Sequence, residues 1–272
     1  MVLPGGLFEA GNVERHARFL PLTGRIEQML IDARERFDDR AGYVTSVLAL
    51  VLDTIGLRPV NFERADCLCV ADRQFLMLRL SAMLQGEQMW LKVDCPYCRA
   101  PFDVSVRRCD LPIKEAHPGF PHATLCLSVG ETALHVPRGA DQEQLGELPE
   151  DEAFRILLKR CIKSVNGEPP TDIIVDHLSP EDIQAVDDEL DRLSPSVCNT
   201  LLVECAECGR PQHAELDHYD LAGLREYELF DDVHTLASHY HWSESSILAL
   251  PKERRLRYLR MIQRSTAMLV SE

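Results

Sequence analysis

The stretch Leu91-Lys92-Val93-Asp94-Cys95-Pro96-Tyr97-Cys98-Arg99-Ala100-Pro101 has a counterpart 110 positions later, Leu201-Leu202-Val203-Glu204-Cys205-Ala206-Glu207-Cys208-Gly209-Arg210-Pro211. In each copy an alternating apolar run enters a Cys-x-x-Cys turn, and short strand-like runs follow at 102–106 and 213–216. Alternation with period two marks a strand, so each copy reads strand, turn, strand. Two residues between cysteines let a tight turn present both sulfurs to one ion at about 2.3 Å. One such knuckle supplies half of a tetrahedral shell, and two complete it. The expectation is one structural zinc ion held by Cys95, Cys98, Cys205 and Cys208, with no coordination position left open for Lewis-acid chemistry. A thioredoxin-like redox pair normally opens a helix after a strand, whereas both turns here lie between strands. That reading, two unrelated surface turns, and a homologue that has lost its metal stand as the alternatives.

The overlay continues beyond the cysteines. Leu91, Val93, Pro101, Asp110 and Leu111 fall on Leu201, Val203, Pro211, Asp220 and Leu221, which is a degenerate internal repeat. The span between the two knuckles exceeds ordinary ribbon spacing, so residues 113–196 read as an α/β insertion. The expected fold is α+β: a four-cysteine zinc ribbon flanked by N- and C-terminal helical regions. Its parts are residues 1–86 (mainly helical), 87–112 (first ribbon half), 113–196 (hairpin plus helices), 197–217 (second half) and 218–272 (helical).

Within these parts, Leu3-Pro4-Gly5-Gly6 reads as an extended lead-in and residues 25–36 as a polar helix. Val44, Val47, Leu48, Val51, Leu52 and Ile55 predict one helix running to Gly56, and residues 72–84 predict another. Residues 123–129 and 132–136 read as a hairpin turning at Gly130-Glu131. Phe154, Leu157, Leu158, Cys161, Ile162 and Val165 make one helical stripe, and Ile183, Val186, Leu190 and Leu193 make the next, with Ser179 as N-cap and Pro180 at its first position. The remainder reads as three helical pieces.

Lysine and arginine number 29 against 44 aspartates and glutamates, a net charge of −15. Nucleic-acid binders gather positive charge against phosphate, so no DNA or RNA partner is expected. No apolar run reaches the roughly 18 residues of a membrane span. The opening residues lack the basic start and apolar stretch of a secretory leader, which points to the cytoplasm. P-loop, GxGxxG, HExxH and GxSxG patterns are absent, and no enzyme activity or small-molecule substrate is expected. Cys67, Cys69, Cys109, Cys126, Cys161 and Cys198 read as buried thiols. His234, His239 and His241 near Glu244 lack the helical spacing of a metal pair and read as interface or surface residues. Asp38-Asp39 and Asp187-Asp188 read as solvated helix faces.

The final helix stands out. Lys252, Arg254, Arg255, Arg257, Arg260 and Arg264 face a single acid, Glu253, and interleave with Leu256, Leu259 and Ile262. With the apolar residues holding it to the body, its arginines form a candidate docking surface for an acidic partner, with Arg254, Arg257 and Arg260 as the partner-binding residues. Pro251 fits its first position.

Several short segments together resemble the baseplate hub assembly chaperone family of T-even-type contractile phages and related contractile injection systems. They are Leu22-Thr23-Gly24-Arg25, Asp72-Arg73-Gln74-Phe75-Leu76, Gly86 with the first knuckle, and Tyr240-His241-Trp242-Ser243-Glu244. Ile247-Leu248, Leu250-Pro251, Arg254-Arg255 and Tyr258-Leu259 complete the likeness. One departure is Arg99 where the second knuckle carries Gly209, a position that often needs a left-handed backbone. The resemblance implies a non-catalytic role, helping to build or forming part of a tail baseplate hub, in the host cytoplasm or in the finished particle, with hub or other tail proteins as partners. A zinc-ribbon nucleic-acid factor and a thiol oxidoreductase are the competing readings.

Overall fold

The computed structural model of the chain describes residues 1–37, 39–146, 148–220 and 226–270. The first of its three successive modules opens with strands β1 (Val2–Glu9) and β2 (Asn12–Phe19). Helices α1 (Gly24–Arg36) and α2 (Arg40–Val51) follow, then strands β3 (Leu52–Ile55) and β4 (Arg58–Pro59). A short helix α3 (Phe62–Asp66) precedes the long α4 (Val70–Gln85), and the module ends in the hairpin β5 (Gln88–Asp94) and β6 (Pro101–Arg107). Strands β1 to β4 form one antiparallel sheet in chain order.

The second module repeats this plan. Strand β7 (Ile113–Lys114) leads to the hairpin β8 (His122–Leu127) and β9 (Gly130–His135), then helices α5 (Gly139–Leu145) and α6 (Glu150–Cys161). Strand β10 (Ile162–Val165) follows, then the short α7 (Asp172–Asp176), the long α8 (Pro180–Leu193), β11 (Ser196–Val197), and the hairpin β12 (Thr200–Glu204) and β13 (Pro211–Glu215). The third module is helical throughout: α9 (Glu226–Tyr240), short α10 (Glu244–Leu248) and long α11 (Lys252–Val270).

From α2 onward the first two modules superimpose with a displacement of 110: Phe62 falls on Asp172, Val70 on Pro180 and Leu52 on Ile162. The hairpins before them need 115, since Gly24 falls on Gly139. The difference lies in α1, which is longer than α5 and shifts the register. Even the irregularities coincide. The register between β2 and β3 skips Asp53, and that between β9 and β10 skips Lys163, its counterpart. The third module shares the short-helix, long-helix corner. Asn61, Thr171 and Ser243 each cap a five-residue helix by accepting the N–H of the residue three positions on. Segment 113–196, which the sequence sets apart as an insertion, thus follows the same order of hairpin, two helices, strand, short helix and long helix as the first module, with β7 and β11 here and β4 there lacking a counterpart strand.

The modules are joined by one device used twice. The segment from β2 into α1 lies against the start of α11: the Lys252 N–H donates to the Leu22 carbonyl at 2.9 Å and the Gly24 N–H to the Leu250 carbonyl at 3.3 Å. The equivalent segment of the second module lies against the start of α4: the Val70 N–H donates to the Pro137 carbonyl at 3.3 Å and the Gly139 N–H to the Leu68 carbonyl at 3.0 Å. Each joint closes over a buried arginine. Arg73 is fully buried, donating to Thr45 Oγ1 at 2.8 Å and to the Ala41 carbonyl at 2.7 Å. Arg255 is 1% exposed and donates to both oxygens of buried Glu27, at 2.9 and 2.8 Å, and to Asp232 at 2.9 Å. A Cβ on Gly24 would approach Arg255 Nη1 to 2.8 Å, and one on Gly139 would collide with the Arg73 guanidinium. Both glycines are therefore needed for close approach. At the corresponding corner of the second module, α8 begins with Pro180, which has no N–H to give.

Several sequence expectations are corrected. Residues 3–6 are not a lead-in but part of β1, and the amides of Gly5 and Gly6 donate to the buried carboxylate of Asp72 at 2.9 and 2.7 Å. The helix expected over 44–55 ends at Val51 and becomes β3, and that over 154–165 ends at Cys161 and becomes β10. Leu52, Ile55, Ile162 and Val165 are buried, and an apolar period alone does not separate these alternatives; pairing with β2 and β9 decides them. The β8–β9 turn is at 128–129, because Leu127 pairs with Gly130. Cys67, Cys109 and Cys126 are exposed and Cys198 half-buried, leaving only Cys69 and Cys161 as core thiols among these six. Asp39 caps α2 rather than lying on a helix face, while Asp38 and Leu221 fall outside the described residues.

The C-terminal helix also differs in detail. Pro251 precedes α11, bridges Thr23 and offers its carbonyl to the Arg255 N–H at 3.0 Å. Two of the basic residues turn inward: Arg255 into its carboxylate pocket, and Lys252 to the Leu84 carbonyl at 2.7 Å. Arg254, Arg257 and Arg260 are exposed, while Leu259 and Ile262 pack on the α9–α10 cluster beside Tyr258.

Removing one member of a buried ion pair leaves the other uncompensated, at a cost of about 3–5 kcal/mol. Arg255→Ala should lower the free energy of unfolding by that amount in urea titrations, whereas exposed Arg254→Ala should stay within about 0.5 kcal/mol of wild type.

Candidate metal centre

The terminal hairpin of each of the first two modules carries its cysteines at the tip. In β5–β6 the ladder ends on Asp94 and Pro101, and in β12–β13 on Glu204 and Pro211. The tips are built alike. The Cys95 N–H donates to the Ala100 carbonyl at 3.1 Å, and the Arg99 N–H to the Cys95 carbonyl at 2.8 Å. The Cys205 N–H donates to Arg210 and the Gly209 N–H to Cys205, at 3.0 and 2.9 Å. To close these turns Arg99 adopts φ 60° and Gly209 φ 68°. The left-handed backbone expected at position 99 is present, and there it is carried by an arginine.

The two tips meet. Cys95 Sγ lies 3.6 Å from Cys208 Sγ, and Cys98 Sγ lies 3.7 Å from Cys205 Sγ. All four sulfurs fall within 4.8 Å of one another. These separations far exceed a bonded sulfur pair, about 2.05 Å. They match the edge of a tetrahedron whose arms are about 2.3 Å, which is about 3.8 Å. Cys95 and Cys205 are buried at 1% and 2% exposure, while Cys98 and Cys208 form the outer, exposed half of the cluster. The Arg210 guanidinium stacks 5.0 Å above the Tyr97 ring, fastening one tip to the other. Nothing in the sequence pairs those two residues; only the meeting of the tips brings them together.

The thiols of Cys95 and Cys98 are pushed in opposite directions. Burial raises the Cys95 thiol, but the amides of Cys98 and Tyr97 and the thiols of Cys98 and Cys208 outweigh it and bring the pKa to about 6. Cys98 moves the other way. The Ala100 amide lowers it, yet burial and the thiols of Cys95, Cys205 and Cys208 hold its proton up to about 12. Four converging sulfurs are the donor set of a soft or borderline divalent metal. The four cysteines thus lie close enough to bind a metal ion, and they fit one.

Among the described residues no other set of three or more histidine, cysteine or carboxylate ligands converges in this way. The exposed arginines of α11 take no part in this site, nor do His234, His239 and His241. The residues that carried the family resemblance have structural duties. Leu22, Thr23 and Gly24 form the joint with Leu250 and Pro251, Arg73 and Arg255 fill the two joints, and Tyr240, Trp242 and Tyr258 form an aromatic cluster with ring centroids 4.9–5.8 Å apart. No protein-family model, curated protein or solved structure matches the chain. No helix among the described residues is long and apolar enough to cross a membrane.

The backbone at the two tips gives a paired expectation. Arg99→Gly should raise stability by about 0.5–1 kcal/mol, since the left-handed turn then carries no Cβ, and Gly209→Ala should lower it by about 1–2 kcal/mol. Thermal unfolding of the metal-loaded variants measures both.

Proposed function

We propose that Cys95, Cys98, Cys205 and Cys208 hold one zinc ion as a four-cysteine ribbon, and that the protein is a non-catalytic assembly factor or component of a contractile-tail baseplate hub. The observation that supports the metal reading best is the pair of cross-tip sulfur separations, 3.6 and 3.7 Å, on two hairpins of like geometry. When bound, zinc supplies structural cross-linking: a closed sulfur shell leaves no position for substrate or water. It ties the end of the first module to the end of the second, and with them the helices that each hairpin follows. The assembly reading comes from the resemblance. It is supported by the arginine row on α11, which offers carboxylate-binding forks on a chain of net charge −15.

Purified protein should carry about one zinc per chain by elemental analysis. Structural zinc contributes roughly 10–16 kcal/mol of apparent binding energy in small peptides, so metal and folding should be linked. Cys98→Ser or Cys205→Ser should give protease-sensitive or insoluble protein, and a strong chelator should lower the unfolding temperature. Well-folded protein without metal would remove the site.

The docking reading is tested separately. Replacing Arg254, Arg257 and Arg260 together by glutamate should leave zinc content and the unfolding temperature unchanged while abolishing co-purification with hub components. Loss of zinc or solubility in that triple variant would instead show that these arginines serve the chain's own acidic body.

A further inference from the structure

Where the second module's connecting segment lies against the α3–α4 corner, the two modules leave a cavity of about 360 Å³ between them. This is about a dozen waters of liquid volume and within the range of small-molecule sites, which favour such boundaries. One wall is apolar: Phe8 from β1, Phe120 and Pro121 from the loop before β8, and Val136 after β9. The other carries two positive charges, Arg138 and Lys163, beside the rings of His122 and His135, and no aspartate or glutamate is among its described lining residues. On a chain of net charge −15 that is an unusual concentration of positive charge.

Lys163 is exposed, and Arg138 is only loosely paired. Asp141, which lies beside Arg138, is already bonded to Arg160 Nε at 2.7 Å and to the Arg138 backbone N–H at 2.8 Å, and the charge of Arg138 is also felt by Asp66. The Arg138 guanidinium comes no closer to it than 3.8 Å, and its Nε is buried without a partner. Asp72, beneath Cys69, is turned away, with its oxygens occupied by the amides of Gly5 and Gly6 and the Cys69 thiol. Lys163 is the residue skipped in the β9–β10 register, and a bulge of this kind re-aims its side chain. His122 packs edge-on against Phe8 at 4.9 Å. Its pKa is depressed below the usual imidazole value, first by burial and then by the positive charge of Lys163, His135 and Arg138.

We propose that this cavity binds an organic carboxylate with a flat apolar body, the carboxylate held between Arg138 and Lys163 and the body against Phe8, Phe120 and Val136. The inference stands independently of the metal and of the assembly reading. The same chemistry is offered by a small aromatic acid and by the free C-terminus of a chain ending in phenylalanine.

The test uses the full, metal-loaded chain. In calorimetric titration 3-phenylpropionate should bind saturably, with chemical-shift changes at the Val136 methyls and the His122 ring. 3-Phenylpropionamide, which has the same body without the charge, should bind at least about tenfold more weakly, and exposed Lys163→Gln should weaken the acid by about tenfold with the fold intact. Arg138→Gln should act in the same direction, and if it does not fold, Lys163→Gln still decides. Equal binding of acid and amide, an unchanged affinity in Lys163→Gln, or no saturable binding at millimolar acid would each overturn the proposal. Acetyl-Ala-Ala-Phe with a free carboxyl then separates the sources. Tighter binding than the small acid assigns the site to a chain terminus, and weaker binding assigns it to a small molecule.

Discussion

Four sulfurs borne on turns 110 residues apart converge to within 4.8 Å, with both cross-tip pairs near the edge length of one metal–sulfur tetrahedron. Geometry of that kind cannot be satisfied by the hairpins alone, because a knuckle fixes only its own pair. The relative position of the pairs depends on everything the hairpins are attached to. Strands β5 and β6 follow α4, and β12 and β13 follow α8. The inner faces of both hairpins, through Met89, Leu91, Val106, Leu201 and Leu216, pack onto the core around Leu76 and Leu80. The tips meet because that shared core orients them. A metal held there would tie the two tips to each other directly.

The second organising element is the buried guanidinium at each joint between modules. Burying arginine is costly unless its donors are met. Arg255 meets two carboxylates and Arg73 meets a hydroxyl and a carbonyl, so the corner tolerates different partners provided that the guanidinium is engaged. A buried ion pair contributes little net stability compared with apolar packing, but it is demanding about position. The absence of a Cβ at Gly24 and Gly139 belongs to the same demand, since a side chain at either place would fall on the guanidinium.

The cysteine turns, and which four cysteines come together, were legible in the sequence because the pattern is local: spacing, alternation and a turn residue suffice. The left-handed backbone at Arg99 was legible for the same reason. The wider repeat was not, and the obstacle is identifiable. One displacement relates the modules from α2 onward and another relates their opening hairpins, so the extra length of α1 breaks any single alignment. The strands β3 and β10 were hidden because an apolar stripe suits both a helix end and a buried strand, and only a partner strand from far along the chain distinguishes them. The strand character of Pro4-Gly5-Gly6 depends on Asp72, whose carboxylate supplies acceptors that no neighbouring residue offers. Likewise, a count of basic residues along α11 does not show that Arg255 and Lys252 face inward.

The joints form an ordered series: the first module's connecting segment occupies the third module's corner, and the second module's occupies the first's. One corner of the three is left over, that of α7 and α8. A corner of this type receives its segment partly through the amide at the start of its long helix, the role played by Val70 and Lys252. In α8 that position is Pro180, which has no hydrogen to offer. The proline thus removes from this corner the donor on which the other two joints rely.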